Sequence, residues 1–168
     1  MTFDSNQHPN AEEFINSSDA KDLGDVIWKY GEERFARRIA SAIVKYRAKK
    51  KISGAKELSE IISKALPHRG KINPATKTFQ ALRIYLNHEL ENISDGLAAA
   101  WKIIKPNGRI AVISYHSLED RMVKQFFKNK SNEKQGKLIN KKPIIPSREE
   151  ILRNPRSRSA KLRIIEKV

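Results

Sequence analysis

The apolar pattern of this chain changes period at the turn Pro106-Asn107-Gly108, and that change limits the folds open to it. Before the turn, apolar residues recur at intervals of three and four. Leu23, Val26, Ile27 and Tyr30 mark one helix face, with Gly31 read as its terminator. Phe35, Ile39, Ala42, Ile43 and Tyr46 mark a second, its remainder filled by Arg34, Arg37, Arg38, Lys45, Arg47 and Lys49. Leu58, Ile61, Ile62 and Ala65 mark a third that stops at Pro67, ahead of a polar loop over residues 68–72. Pro74 suits the first position of the next helix, whose stripe runs through Phe79, Leu82, Leu86, Leu90, Ile93 and Leu97, with Gly96 as a bend or join. Asn10 and Glu13 have the spacing of a capping box at the start of a short first helix.

After the turn, Ile110-Ala111-Val112-Ile113 is a short unbroken apolar run. Such runs fit strands buried on both faces of a parallel sheet. A polar loop and a helix carrying Met122, Val123, Phe126 and Phe127 follow. Helix, turn, buried strand, loop and helix make half of a doubly wound α/β domain. Residues 128–142 read as a mobile loop, 143–146 as a short strand, 148–153 as a helix and 160–167 as a final strand completing a sheet edge. The chain therefore divides into an all-helical domain over residues 1–85 and an α/β domain over 86–168.

The formal net charge is +15, with 34 Lys and Arg against 19 Asp and Glu. Beyond Arg121 there are fourteen Lys and Arg against four Asp and Glu, so +10 of the excess lies in that last stretch. Charge of that size favours a polyanionic partner, and RNA is the one expected. No run approaches the roughly 18–20 apolar residues of a membrane span, and the first ten residues do not read as a signal peptide, so a cytoplasmic protein without a membrane partner is expected. The absence of cysteine excludes disulfides and thiolate metal sites, and no metal is expected.

Three segments carry chemistry. In GRIAVISYHSLEDR (108–121), Ser114, Tyr115, His116 and Ser117 lie where open α/β sheets bind ligands, beyond the carboxyl end of a strand. The competing account makes Ser117 a helix cap, with Asp120 completing its box. In PATKTFQALRI (74–84), Lys77, Gln80 and Arg83 share a helix face that either is solvated or meets phosphates. In NPRSRSAKLR (154–163), Arg156, Arg158, Lys161 and Arg163 surround small hydroxyl residues. They form either a phosphate-binding cluster or a basic edge strand protected from aggregation.

Together with YGEERFARRI (30–39), these segments closely resemble the ribosomal-RNA small-subunit methyltransferase H family, over nearly the whole chain. Lys77 stands where the family has arginine, Asn73 for a usual histidine, Asn107 for glycine and Tyr115 for phenylalanine. The resemblance implies the C-terminal part of a class I, Rossmann-like methyltransferase sheet preceded by a helical insert for substrate recognition. It implies methyl transfer from S-adenosyl-L-methionine (SAM) to cytosine N4 of 16S rRNA in the small ribosomal subunit. Ser114, Tyr115, His116 and Glu119 are the candidate pocket wall, and Lys77, Arg83, Arg156, Arg158, Lys161 and Arg163 the candidate RNA contacts. No catalytic base is assigned. The family's early strands, glycine-rich SAM loop and cytosine-facing loop have no counterpart here, and all seven glycines are isolated. Met1-Thr-Phe-Asp resembles an internal stretch of the family. The expectation is a fragment inactive by itself, from a truncated gene product, a misplaced start or a split enzyme. Its partners would be a homodimer mate or a complementing N-terminal chain. The alternatives are a non-catalytic RNA-binding module and a partner subunit of a split methyltransferase.

Overall fold

A computed structural model describes residues 10–67 and 73–168. The expected loop over 68–72 and the stretch at Met1 lie outside the described residues. The chain forms two compact units, Met1–Glu89 and Leu90–Val168.

The first unit is helical: α1 (Ala11–Ser17), α2 (Ala20–Gly31), α3 (Ala36–Arg47), α4 (Ala55–Ala65) and α5 (Thr76–Leu86). Their apolar stripes meet in a core whose fully buried side chains include Leu23, Ile27, Ile39, Ile43, Ile62, Leu82 and Ile84. The Asn10–Glu13 capping box is formed, and the Arg47 guanidinium donates to the carbonyls of Ile15 and Ser18, tying α3 to the end of α1. Pro74 sits in a turn two residues before the helix proper, and α5 starts at Thr76 without a side-chain cap.

Gly31 does not terminate its helix through its own backbone. It is the last residue of α2, and Glu32 takes the left-handed conformation at φ 48°. A Cβ at Gly31 would lie 2.7 Å from the Lys77 carbonyl oxygen, so the glycine permits close approach of α2 and α5. Gly31→Ala is therefore expected to cost about 1–3 kcal/mol through overpacking. Gly96→Ala, at a helical site with nothing within 4 Å of the added carbon, is expected to stabilise by up to about 1 kcal/mol. Paired thermal melts followed by circular dichroism check this; equal midpoints for the two variants would contradict it.

The long stripe from Phe79 to Leu97 is not one helix. It breaks at Asn87 and His88, the latter at φ 51°, and α6 (Glu89–Ile103) begins after them. Gly96 lies inside α6 and marks neither a bend nor a join.

The second unit combines α6 with β1 (Arg109–Ser114), α7 (Ser117–Asn132), β2 (Gly136–Leu138), α8 (Arg148–Arg153), a 3-10 turn (Pro155–Ser159) and β3 (Lys161–Lys167). The described sheet has the order β1-β3-β2, and both pairings are antiparallel. Ile110 faces Ile165 and Val112 faces Arg163 across the β1–β3 pair. Leu97 and Trp101 of α6, Val123 and Phe127 of α7, and Ile165 of β3 form its core. Lys167 donates from the sheet to the carbonyls of Trp101 and Ile104, satisfying acceptors left open at the end of α6.

Four expectations for this unit are corrected. β1 is not buried on both faces among the described residues: Ile110 and Val112 are half-buried, while Ile113 is 56% exposed. β3 lies between the other strands rather than at an edge, which removes the edge-protection account of its basic residues. Residues 128–142 are not a loop throughout, since α7 continues to Asn132 and β2 pairs with β3. Gly136 makes that pairing feasible: a Cβ there would lie 2.8 Å from Ile165 Cδ1 and 2.9 Å from Trp101 Cη2. Residues 143–146 contribute a single bridge, Ile144 to Leu162, instead of a strand.

Candidate functional site

The polar loop after β1 leads straight into α7, and its donors are used at once. His116, not Ser117, is the helix cap, and Glu119, not Asp120, completes the box. The Glu119 carboxylate accepts from the backbone N–H of Tyr115 (2.8 Å) and of His116 (3.3 Å), and the His116 Nδ1 accepts from the Glu119 N–H (3.4 Å). His116 Nε2 is buried without a hydrogen-bond partner, 3.3 Å from Glu119 Oε1. Burial pushes the Glu119 carboxyl upward, but the His116 ring and the two N–H groups outweigh it and hold it below the usual carboxylate range. Glu119 thus fixes the loop. Ser114 is buried too, its hydroxyl 3.4 Å from the Lys161 carbonyl.

One helical position on, Asp120 points to the sheet. Its Oδ1 accepts from Arg163 Nε at 2.6 Å and its Oδ2 from Nη2 at 3.1 Å, both side chains being buried. Lys161 Nζ stands 3.4 Å from the same carboxylate. The hydrogen bonds from Arg163 hold the Asp120 carboxyl below its ordinary value, against the opposing effect of burial. Arg163 therefore locks α7 to β3 and is removed from the candidate RNA contacts.

A cavity of about 290 Å³ opens beside this loop. Tyr115, His116 and Ser117 line one side, Arg158 and Lys161 another, and Ile145 and Ile151 supply apolar wall. Of the expected pocket residues, Tyr115 and His116 line this cavity; Ser114 and Glu119 are not among its lining and brace the loop instead. Sequence reasoning missed Ile145 and Ile151. Pro146 and the capping residue Ser147 were the available signal that the chain turns there into α8. The 3-10 turn at Pro155, begun by the Asn154 side chain accepting from the Arg156 N–H, presents Arg156 and Arg158 to solvent. Neither arginine forms an ion pair with any described residue.

In the helical unit, the other two expected RNA contacts are occupied. Lys77 donates to the Glu32 carbonyl at 3.0 Å and lies 3.9 Å from Glu33. Arg83 makes two hydrogen bonds to Glu89, at 2.8 and 3.1 Å. No helix among the described residues is long and apolar enough to cross a membrane.

The second unit is thus a mixed α/β piece whose polar loop, at the carboxyl end of a strand, shares a cavity with basic side chains. The comparisons give this arrangement a family: the chain belongs to the MraW methylase family, whose profile matches residues 1–168. It is 48% identical over 167 residues to the ribosomal RNA small subunit methyltransferase H of Coprothermobacter proteolyticus, covering 99% of this chain and 56% of that protein. It is 49% identical over 167 residues to the protein of the same name from Sulfurihydrogenibium sp., covering 98% and 57%. The corresponding Rickettsia bellii protein is 47% identical over 182 residues, covering 98% and 60%. The chain therefore spans little more than half the length of these curated relatives.

Proposed function

We propose that this chain is the RNA-facing part of a SAM-dependent methyltransferase that modifies cytosine N4 in 16S rRNA of the small ribosomal subunit. The observation that carries the proposal is the cavity in which Tyr115 and His116 meet Arg158 and Lys161. An aromatic face beside the unpaired Arg158 suits a nucleotide, with the base against Tyr115 and a phosphate on Arg158, while Lys161 shares its charge with Asp120. The names of the relatives support an rRNA substrate, and the charge beyond Arg121 supports a polyanion.

SAM supplies the methyl group in such a reaction, but the residues described here do not fit it by themselves. A carboxylate-binding nest needs free backbone N–H groups, commonly on a glycine-rich turn. The N–H groups of Tyr115, His116, Glu119 and Asp120 at the start of α7 all have acceptors within the loop. The work of this chain's own residues is then to hold the nucleotide and to keep the loop rigid around it, since positioning of the amine dominates such a transfer. The cofactor and the base that receives the amine proton belong to the part of the relatives that this chain does not match. The exposed Ile113, beside an edge of β1 that pairs with no strand among the described residues, supports a protein partner there, either that complementing part or a second copy.

The same occupied N–H groups favour a second reading, a non-catalytic RNA-binding module. Both readings place Arg156 and Arg158 on phosphates. Affinity for RNA should then fall with salt, with a log–log slope of about 0.9 per neutralised phosphate on duplex and nearer 0.7 on single strands. Arg156→Ala with Arg158→Ala is expected to lower the slope by up to roughly two duplex units and to weaken all RNA sequences alike. An unchanged slope in a folded double variant would remove this turn from the RNA interface.

A further inference from the structure

Helix α2 buries Leu23, Val26, Ile27 and Tyr30, yet Trp28, set among them in sequence, is 62% exposed. An indole left in water contributes little to the core, and such residues are typical of binding surfaces that need one apolar face. Around it lies a groove of about 600 Å³, lined by Trp28, Phe35, Arg34, Arg37, Arg38 and Asp25. The groove is large enough for a nucleotide. Its one carboxylate, Asp25, is paired with Lys21 at 3.0 Å. None of the three arginines forms an ion pair with a described residue. The Arg34 guanidinium lies 4.5 Å from the Phe35 ring centre, which holds its charge beside the groove without neutralising it.

We propose that this groove binds single-stranded RNA, with an unpaired base stacked on Trp28 and the flanking phosphates on Arg34, Arg37 and Arg38. The proposal rests on the reading of the chain as RNA-binding, and it adds a second contact surface, on the helical unit, where Lys77 and Arg83 are already occupied. Stacking is favoured over a purely electrostatic contact because the groove joins an open aromatic face to unpaired guanidinium groups. A base offers a π-face and its phosphates offer acceptors in the same ligand. An unpaired base is required, since a duplex keeps its faces stacked.

The 168-residue chain contains two tryptophans, and Trp101 is only 8% exposed, so quenching by a bound base reports on Trp28. The probe is a short oligocytidylate, followed by Trp emission and, with an end label, by anisotropy at fixed salt. The parent chain is expected to bind with quenching. Trp28→Ala should lose about fivefold to a hundredfold in affinity while keeping the parent's salt slope. Trp28→Phe should lose less affinity, and Arg37→Ala with Arg38→Ala should lower the slope by about 0.7 per lost contact. Thermal melts of each variant confirm folding, which exposure of Trp28 leaves intact. Parent binding that Trp28→Ala leaves unchanged overturns the groove alone, with the Arg156 and Arg158 surface still standing. No binding by the parent chain overturns the RNA reading itself. Equal quenching by a polyglutamate of matched charge overturns RNA as the occupant in favour of an acidic peptide.

Discussion

Asp120→Ala is expected to destabilise the Leu90–Val168 unit by about 3 kcal/mol or more, the usual cost of leaving one partner of a buried ion pair uncompensated. Arg163 sits on β3, the strand between the other two, with its guanidinium turned toward α7 and 9% exposed. Without the Asp120 carboxylate its charge stays buried under α7 without its ion-pair partner. Replacing both partners, Asp120→Ala with Arg163→Met, should recover much of the loss, because the buried charge goes with its partner. The pH dependence has a definite sign. The folded-state value of Asp120 is depressed by Arg163, so its contribution is present above the unfolded value of about 3.9 and is lost as pH falls through the folded value. The gap between parent and Asp120→Ala should therefore be full near neutrality and narrow below about pH 4. Urea unfolding read by Trp101 in a Trp28→Phe background isolates this unit. A gap under 1 kcal/mol at pH 7 would show that the pair does not hold α7 to the sheet.

The second large effect concerns the cofactor. The chain alone is expected to show no SAM binding by calorimetry at millimolar ligand. The N–H groups of Tyr115, His116, Glu119 and Asp120 at the start of α7 already have acceptors within the loop, which leaves no nest of successive free donors there. A chimera that joins the unmatched part of the Coprothermobacter proteolyticus relative to this chain is expected to bind SAM, because the proposed function assigns the SAM cradle to that part. Micromolar binding by the 168-residue chain alone would overturn this account, and so would a folded chimera that binds none.

The helices were legible wherever one apolar stripe faced one core. Leu23, Ile27, Ile39, Ile43, Ile62 and Leu82 are all buried where their spacing put them. The sequence misled where a residue's reason was tertiary. Gly31 reads as a terminator, but its role is to admit the Lys77 carbonyl, and nothing local reports a neighbour 46 positions away. The stripe from Phe79 to Leu97 keeps its phase through Leu86 and Leu90, which hides the break at His88. Residues 128–142 look loop-like because Lys and Asn dominate. Yet α7 ends among them, and β2 needs only Gly136 against Trp101 and Leu138 beside the core.

The site was legible in outline and not in its division of labour. Ser114, Tyr115, His116 and Glu119 all lie at the end of β1 as their order requires. Spacing alone cannot tell that Glu119 turns back to the N–H groups of Tyr115 and His116 while Asp120 turns to the sheet. The basic tail shows the same limit. Arg158 and Arg163 read alike in the sequence, but the 3-10 turn leaves the first in solvent and alternation along β3 buries the second. Trp28 falls off the stripe of Leu23, Val26, Ile27 and Tyr30, but only the fold shows the groove that it shares with Arg34, Arg37 and Arg38.

The most direct test of the proposed function is methyl transfer by the chimera to isolated small ribosomal subunits. Labelled SAM supplies the methyl group, and mass spectrometry of the digested rRNA locates it. The account predicts incorporation at a cytosine N4 by the chimera, none by the 168-residue chain, and a marked fall when Arg158 is changed to alanine in the chimera. A chimera that folds and binds SAM yet methylates no cytosine N4 of the small-subunit rRNA would contradict it.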